Sequence, residues 1–490
     1  MTAREDVTTV LADWSAGLKF QDIPEKVIEE AKSQVMSVLG AVHAGAGTEA
    51  GAAVVKAVTA WGGGDESATM IPSGRRTSLH HAIYANAALS MALDYDDYLF
   101  AGHTGHSAVL ASLAMAEARN LTGRDLLLSQ VIANEVEGRV GASVLLGPQN
   151  GQLWTFIHLV GGAVAAGKML GLDADGMRSA LGIAMLQPPH GLWAPFFGSE
   201  AKILLASPTT VGGVQAAELA AAGLEGCGDV LESDQGFVAA FTDKPLMGAY
   251  RGLGVTWLTE TLCFKIYPGC AYVDTAVDCV LELVGREAID PAEVEAIEVN
   301  AGPLTLGMEA LSLSHLRGPK STPVTLNFSV PYNVAVALID RELSPRQFTR
   351  ARIADPAVWA LAAKVQLGFD DNMTQRMQES SLVKIEDGPV GPRATLDLES
   401  ADLAGFKMSF GSRVLVRLAG GRSMEAEVEV PAGGAGRPMA EKRAAVEEKF
   451  LREAGANVGP ERASAALTLI RRLETLDAGE VRKLVGLTSG

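Results

Sequence analysis

The densest set of side chains with chemical capability in this 490-residue sequence is Asp94-Tyr95-Asp96-Asp97, followed by His103-Thr104-Gly105-His106. It separates two apolar stretches, where a solvated loop is the plain expectation. Two chemistries compete with that. A histidine beside a carboxylate that fixes its tautomer and raises its pKa is the arrangement of a general acid or base. His103-x-x-His106 beside three carboxylates also suits a divalent metal. Two lysines stand out further on. Lys202, in Gly198-Ser-Glu-Ala-Lys-Ile203, precedes a helix signalled by Pro208. An ammonium there opposes the helix dipole, so unless it is merely solvated it asks for another role. Lys265-Ile-Tyr-Pro-Gly-Cys270 falls where the hydrophobic period changes, and junctions between domains are favoured ligand sites.

The elements that position these groups divide the chain unevenly. Residues 5–60 read as helix, with Val7, Leu11, Trp14 and Leu18 on one stripe and Val27, Ala31, Val35 and Leu39 on another. Helical patterns continue over 76–93, 107–118, 124–146, 152–170, 175–187 and 208–222, and strand signals are nearly absent. Beyond about residue 268 the period drops to two in Val294–Asn300, Ala363–Leu367, Ala394–Leu398, Arg413–Leu418 and Ser423–Val430. Helical patterns at 270–285, 329–340 and 355–362 lie between these strands. Pro431–Pro438 breaks the pattern, and the chain returns to helix. The fold expected is mainly α with an inserted α+β domain. An all-helical domain is built from residues 1–267 and 433–490, and a smaller lid from 268–432. Gly45-x-Gly47-x-x-x-Gly51 has the look of a dinucleotide-binding turn, but helix rather than strand precedes it, so it reads as a helix terminus.

Composition excludes several classes. Forty-one basic and 58 acidic residues leave a net charge of −17, which argues against nucleic acid as a partner because a phosphate backbone needs a basic face. A few lysines can still reverse the field inside one cleft and receive a small anion. No run of 18 apolar residues suggests a membrane span, and Met1–Val10 lacks the pattern of a secretion signal, so a cytoplasmic protein is expected. Cys227, Cys263, Cys270 and Cys279 form no C-x-x-C pair. Their spacing does not suit a zinc ribbon or an iron–sulfur cluster.

Several segments in order resemble the MmgE/PrpD family, which contains 2-methylcitrate dehydratase, cis-aconitate decarboxylase and iminodisuccinate epimerase. They are Ala85-Asn86, Asp94–Asp97, His106 with Ser-Ala-Val-Leu110, Gly161–Leu172, Lys202 with Gly213–Ala217, Gly236-Phe237, Lys265-x-Tyr-Pro-x-Cys270 and Phe328–Tyr332. The likeness spans roughly residues 5–475. It implies the same two-part architecture, a homodimer and cofactor-independent chemistry. It also implies roles for Asp94 and His106 in the first loop, for Lys202 and Lys265 as carboxylate-stabilising cations, and for Tyr332 as a lid tyrosine. Removing a proton or CO₂ next to a carboxylate builds negative charge that two lysines can hold while a histidine or tyrosine moves the proton.

The departures from that pattern are informative. The family's second histidine falls on Leu153, beside Trp154, and His158 is five residues later, out of register on a helix. Leu205 and Cys270 stand at two further histidine positions, and Tyr98 replaces a threonine. His103 could substitute for His106 because the first loop is longer. With Trp193, Phe196 and Phe197 forming an apolar cluster near Lys202, the expected substrate is a carboxylic acid less charged and more apolar than citrate. The leading expectation is a dehydrating or decarboxylating lyase. An epimerase using Cys270 opposite His106, a metal-dependent hydrolase on Asp94, His103 and His106, and an inactive relative retained for binding are the alternatives.

Overall fold

The computed structural model describes residues 6–62, 64–148, 155–388 and 391–490. Its first region is helical. The helices that matter for the site are α1 (Glu25–Ala46), α2 (Leu79–Met91), α3 (Gly105–Arg119), α4 (Gly123–Ser143), α5 (Thr155–Leu170) and α6 (Ser207–Ala221). The apolar stripe of α1 is buried as its period requires, with Val27, Ala31, Val35 and Leu39 closed to solvent. α1 stops at Gly47, and Thr48 caps the next helix by accepting from Gly51 N. The glycine cluster is thus a helix break. α5 and α6 approach closely because Gly162 meets Gly213. A Cβ on Gly213 would collide with the Leu159 carbonyl, so the small residues set the crossing.

The stretch expected as one helical run over 5–60 is broken into Val7–Gly17, a 3₁₀ turn at Phe20–Asp22, α1 and Glu49–Trp61, because Pro24 and Gly47 interrupt it. Two short strand pairs are present where almost none was expected. One joins Ala68–Met70 to Arg75–Thr77. The other joins β1 (Asp97–Tyr98) to β2 (Cys263–Phe264), antiparallel. Two residues are too few to show a period in sequence.

After β2 come α7 (Ala271–Arg286), β3 (Val294–Ala301), α8 (Val330–Asp340), β4 (Val365–Phe369), β5 (Ser412–Leu418) and β6 (Ser423–Val428). The sheet order is β6–β5–β3–β4, with only β3 and β4 parallel. Alternation buries Ile297, Val299, Val414 and Val416 against Val277, Val280 and Val334 of α7 and α8. Ala394–Leu398 departs from expectation: pairing ends at Thr395 in a hairpin with Lys384–Gly388. Leu396 and Leu398 instead join the helical core.

The last long helix, α9 (Met439–Val458), returns to the first region and buries Val446 and Phe450 in the same core as Val27 and Leu39. The second core takes in Ala41, Leu93, Tyr95, Phe196 and Phe197 from the first region. Asp94 lies on that seam. Among the described residues no single helix is long and apolar enough to cross a membrane.

Candidate active site

Backbone pairing brings the first loop and the second lysine together. Next to the β1–β2 pair, Lys265 N donates to Asp96 O (3.1 Å) and Gly269 N to Asp94 O (3.3 Å). Lys265 is thereby held over the loop, and its Nζ donates to Asp94 Oδ1 (2.7 Å) and Asp96 Oδ1 (2.9 Å). From α9, the buried Lys449 braces the other side. Its Nζ donates to Ser37 Oγ (3.0 Å), to Lys265 O (3.0 Å) and to Tyr95 O. Burial pushes this ammonium down to about 7.

Asp96 is the hub of the charged cluster. Its Oδ2 accepts from His103 Nδ1 (2.8 Å) and lies 3.0 Å from His106 Nε2. Although fully buried, its carboxyl is held well below the usual carboxylate range, because Lys265, His103 and His106 outweigh desolvation. The two histidines differ. His106 Nδ1 sits 2.7 Å from Ser90 Oγ, whose proton is given to Ala87 O (2.8 Å). Both nitrogens of His106 are therefore committed. His103 uses only Nδ1 and keeps Nε2 for the cavity.

The cavity beside this cluster is lined by Met91, Asp94, His103, His106, Ile157, His158, Phe196, Lys202 and Leu205, among others. Its volume is about 20 Å³, enough for one water molecule. Lys202, in a 3₁₀ turn ahead of α6, enters between the Phe196 and Phe328 rings, 5.1 and 4.9 Å from their centroids. Its Nζ is 3.0 Å from Asp94 Oδ2, as an ion pair, yet has no hydrogen-bond partner among the described residues. A buried ammonium with its hydrogen bonds unmade is costly unless something arrives to receive them.

The structure brings together Asp94, His103, His106, Lys202 and Lys265, as the sequence suggested. It also adds Asp96 and His158. His158 was expected to be out of register, but α5 begins at Thr155 and turns this side chain into the cavity, with Nδ1 2.9 Å from Ser107 Oγ. Leu153 and Trp154, at the position of the family's second histidine, lie outside the described residues. Other expected site residues stand off the cavity. The Tyr332 hydroxyl donates to Gln347 O, with Phe348 and Trp359 against its ring. Cys270 is the N-cap of α7, its N–H donating to Asn327 O (2.8 Å), and it is not among the described residues that line the cavity. Tyr98 backs His103 at 6.0 Å between ring centroids. Trp193 stacks on Phe197 at the surface side, and it is Phe196 that reaches the cavity wall.

The ligand atoms of Asp96, His103 and His106 lie within 4.8 Å of one another, a spacing that a metal ion could bridge. The donor chemistry does not fit one. The Lys265 ammonium already sits 2.9 Å from Asp96 Oδ1, and a dication bound to the same carboxylate would face that charge at short range.

The MmgE/PrpD N-terminal domain model matches residues 9–248 and the C-terminal domain model residues 267–389. The chain belongs to the MmgE/PrpD family. It is 28% identical over 399 residues to a cis-aconitate decarboxylase of Aspergillus terreus, covering 76% of this chain and 80% of that one. The human cis-aconitate decarboxylase is 26% identical over 392 residues, covering 75% and 78%. A 2-methylcitrate dehydratase of Cupriavidus necator is 25% identical over 331 residues, covering 63% and 67%. In MmgE/PrpD terms, Asp94, Asp96, His103, His106, His158 and Lys202 fall within the N-terminal match, and Lys265 falls between the two.

One signal could have found His158. In an otherwise apolar helix running from Thr155 to Leu170, it is one of only two ionisable residues, the other being Lys168 near the end. An imidazole in such a stripe must be satisfied by something buried.

Proposed function

We propose that this protein is a lyase acting on a small carboxylic acid, with Lys202 as the anchor for one substrate carboxylate and His103 as an acid/base group. The observation that carries the reading is the buried Lys202 ammonium, without a hydrogen-bond partner among the described residues and aimed into a cavity edged by imidazoles. A carboxylate placed there makes charge-assisted hydrogen bonds that the protein itself leaves open. His103 Nε2, backed by Asp96, then takes or gives a proton beside it. The relatives named for cis-aconitate decarboxylation and 2-methylcitrate dehydration share this need for charge build-up next to a carboxylate.

The charge balance supports a substrate with fewer carboxylates than citrate. Lys202 and Lys265 are offset by Asp94 and Asp96, so only the histidines are left to add positive charge. Met91, Ile157, Phe196 and Leu205 make the remaining wall apolar. Residues 268–432 serve as a lid in this reading, since a cavity of about 20 Å³ admits no acid until the seam opens.

The test is turnover of 2-methylcitrate and cis-aconitate against citramalate and 3-hydroxybutyrate. The di- or monocarboxylate should be preferred, and Lys202→Ala should cut kcat/KM by about 10²-fold. Turnover of either tricarboxylate at about 1–10³ s⁻¹ would end the claim about substrate charge. Deuterium washed into recovered acid without loss of water or CO₂ would favour an epimerase instead.

A further inference from the structure

Lyase chemistry needs two proton movements, and His103 accounts for one. The second cavity imidazole, His158, rests on a chain of groups that leads away from the charged loop into the helical core. Ser107 Oγ, on α3, lies 2.9 Å from His158 Nδ1 and 2.7 Å from Glu137 Oε2 on α4. Its other neighbour is Thr104 O, at 3.2 Å, the longest of the three. Glu137 Oε2 stands 3.9 Å from His158 Nδ1, so Ser107 is the link between them. All three side chains are buried. Gly161 of α5 makes the room: a Cβ there would collide with both carboxyl oxygens of Glu137. With Nδ1 on Ser107, His158 is left with Nε2 for the cavity.

We infer that Glu137, Ser107 and His158 form a proton relay that supplies the second proton transfer of the lyase proposed above, on which reading the inference rests. In the resting state the Glu137 O–H donates to Ser107 Oγ, the Ser107 O–H donates to His158 Nδ1, and Nε2–H faces the cavity. As negative charge develops on the substrate, Nε2–H gives its proton to the leaving oxygen or to the carbanion carbon. The Ser107 proton moves to Nδ1, and the Glu137 proton moves to Ser107 Oγ. His158 ends neutral with its tautomer reversed, and Glu137 ends as a carboxylate. A proton returning from cavity water to Nε2 runs the three shifts backwards and resets the chain.

The surroundings favour this neutral resting state. Burial pushes the Glu137 carboxyl well above the usual carboxylate range, and the Asp97 charge adds to the effect while Ser107 opposes it. Burial pushes the His158 imidazole well below its ordinary value, and any charge on the neighbouring imidazoles His106 and His103 adds to the effect, with Asp96 opposing. His106 is the nearest of these, its ring centroid 5.7 Å away. An imidazolium at His158 would stand against that ring in a buried site, and the relay delivers a proton without ever forming one.

Glu137→Gln tests this directly, because glutamine copies the shape and neutrality of a protonated glutamate but has no acidic proton to give. With the acid that wild type turns over in the panel above, Glu137→Gln should lower kcat by about 10²–10⁴-fold with KM little changed. Ser107→Ala should do the same, and the double variant should be no worse than either alone. Wild-type kcat in Glu137→Gln would overturn the relay, since a purely structural carboxyl is replaced by its isostere without loss. A second measurement is independent of substrate. In uniformly ¹⁵N-histidine-labelled wild type and in Glu137→Gln, NMR should show His158 neutral with its proton on Nε2. A proton on Nδ1, or an imidazolium at pH 7, overturns the relay even where no acid in the panel is turned over. The expected Nε2–H form in a protein that turns over none of those acids would count against the lyase reading, and with it the relay's role in turnover, while the hydrogen-bond chain from Glu137 to His158 would stand.

Discussion

Asp96 and Glu137 are both fully buried carboxyls beside the same cavity, and they have opposite characters. Asp96 has an ammonium and two imidazoles within 3.0 Å and stays ionised. Glu137 has a hydroxyl, one imidazole at 3.9 Å and an oxygen, Oε1, with no hydrogen-bond partner among the described residues; its carboxyl is pushed far upward. Burial is common to the two, so burial does not decide charge. Partners do. One flank of the cavity is a fixed ionic lattice that can hold an anion in place, and the other is a neutral store of protons. Lyase chemistry uses both.

The largest expected effect breaks the ionic flank. Lys265→Met leaves Asp94 and Asp96 buried without their shared cation, and removing one partner of a buried pair costs about 3–5 kcal/mol. Denaturant or thermal unfolding should show a loss of that size, because Lys202 and the two imidazoles are then left to balance two buried carboxylates. A change under about 1 kcal/mol would mean that water or rearranged lysines already satisfy those carboxylates.

Next in size is the contrast between the two carboxyls themselves. Asp96→Asn removes the counter-charge of two imidazoles and should cost about 3 kcal/mol. Glu137→Gln swaps a neutral acid for a neutral amide and should leave stability within about 1 kcal/mol of wild type. Equal losses in the two variants would remove the distinction between the flanks.

Asp97 gives the contrast a pH signature. Burial and the Asp96 charge push its carboxyl up to about 6, with Gln34 Nε2 donating to Oδ2 in opposition. The folded value lies above the ordinary 3.8, so the folded protein binds this proton more tightly. Its stabilising contribution is complete below 3.8 and is lost as pH rises through about 6. Asp96 has the opposite sign: its depressed carboxyl stabilises the fold above 3.8 and loses that contribution as pH falls through the folded value. Asp97→Asn should therefore flatten the stability profile between pH 4 and 7, by about 3 kcal/mol at roughly 1.4 kcal/mol per pH unit. An unchanged slope in urea unfolding across that range would place the titration on another group.

What sequence revealed of these flanks follows from how each is encoded. The ionic flank is carried by a contiguous run, Asp94–His106, and by two lysines, Lys202 opposing a helix dipole and Lys265 at the change of hydrophobic period, so it was legible. Asp96 could not be told from Asp94 and Asp97, because neighbouring residues in a loop have no period to show which one turns inward. The neutral flank is spread over three helices, as Ser107, Glu137 and His158, and only the crossing of α3, α4 and α5 brings it together. Alternation located β3, β5 and β6 nearly to the residue, whereas the β1–β2 pair that locks Lys265 onto the loop is too short to leave a pattern. The resemblance to relatives also placed Tyr332 and Cys270 by position in the chain, yet neither is among the described residues that line the cavity, and the Tyr332 hydroxyl is turned to Gln347 O instead.

Tyr332 yields the smallest prediction, and it concerns where the site ends. Its hydroxyl serves Gln347 O inside the core shared by α8 and the sheet, among Phe348 and Trp359. Tyr332→Phe keeps the ring and removes one buried hydrogen bond, leaving the Gln347 carbonyl short of a donor. That should cost about 1 kcal/mol in unfolding free energy and leave kcat on the preferred acid unchanged. A proton-donating tyrosine would behave in the opposite way, losing about 10²-fold or more in kcat with little change in stability. Such a result would mean that α8 swings toward the cavity when the seam opens, joining the lid to the ionic flank during turnover.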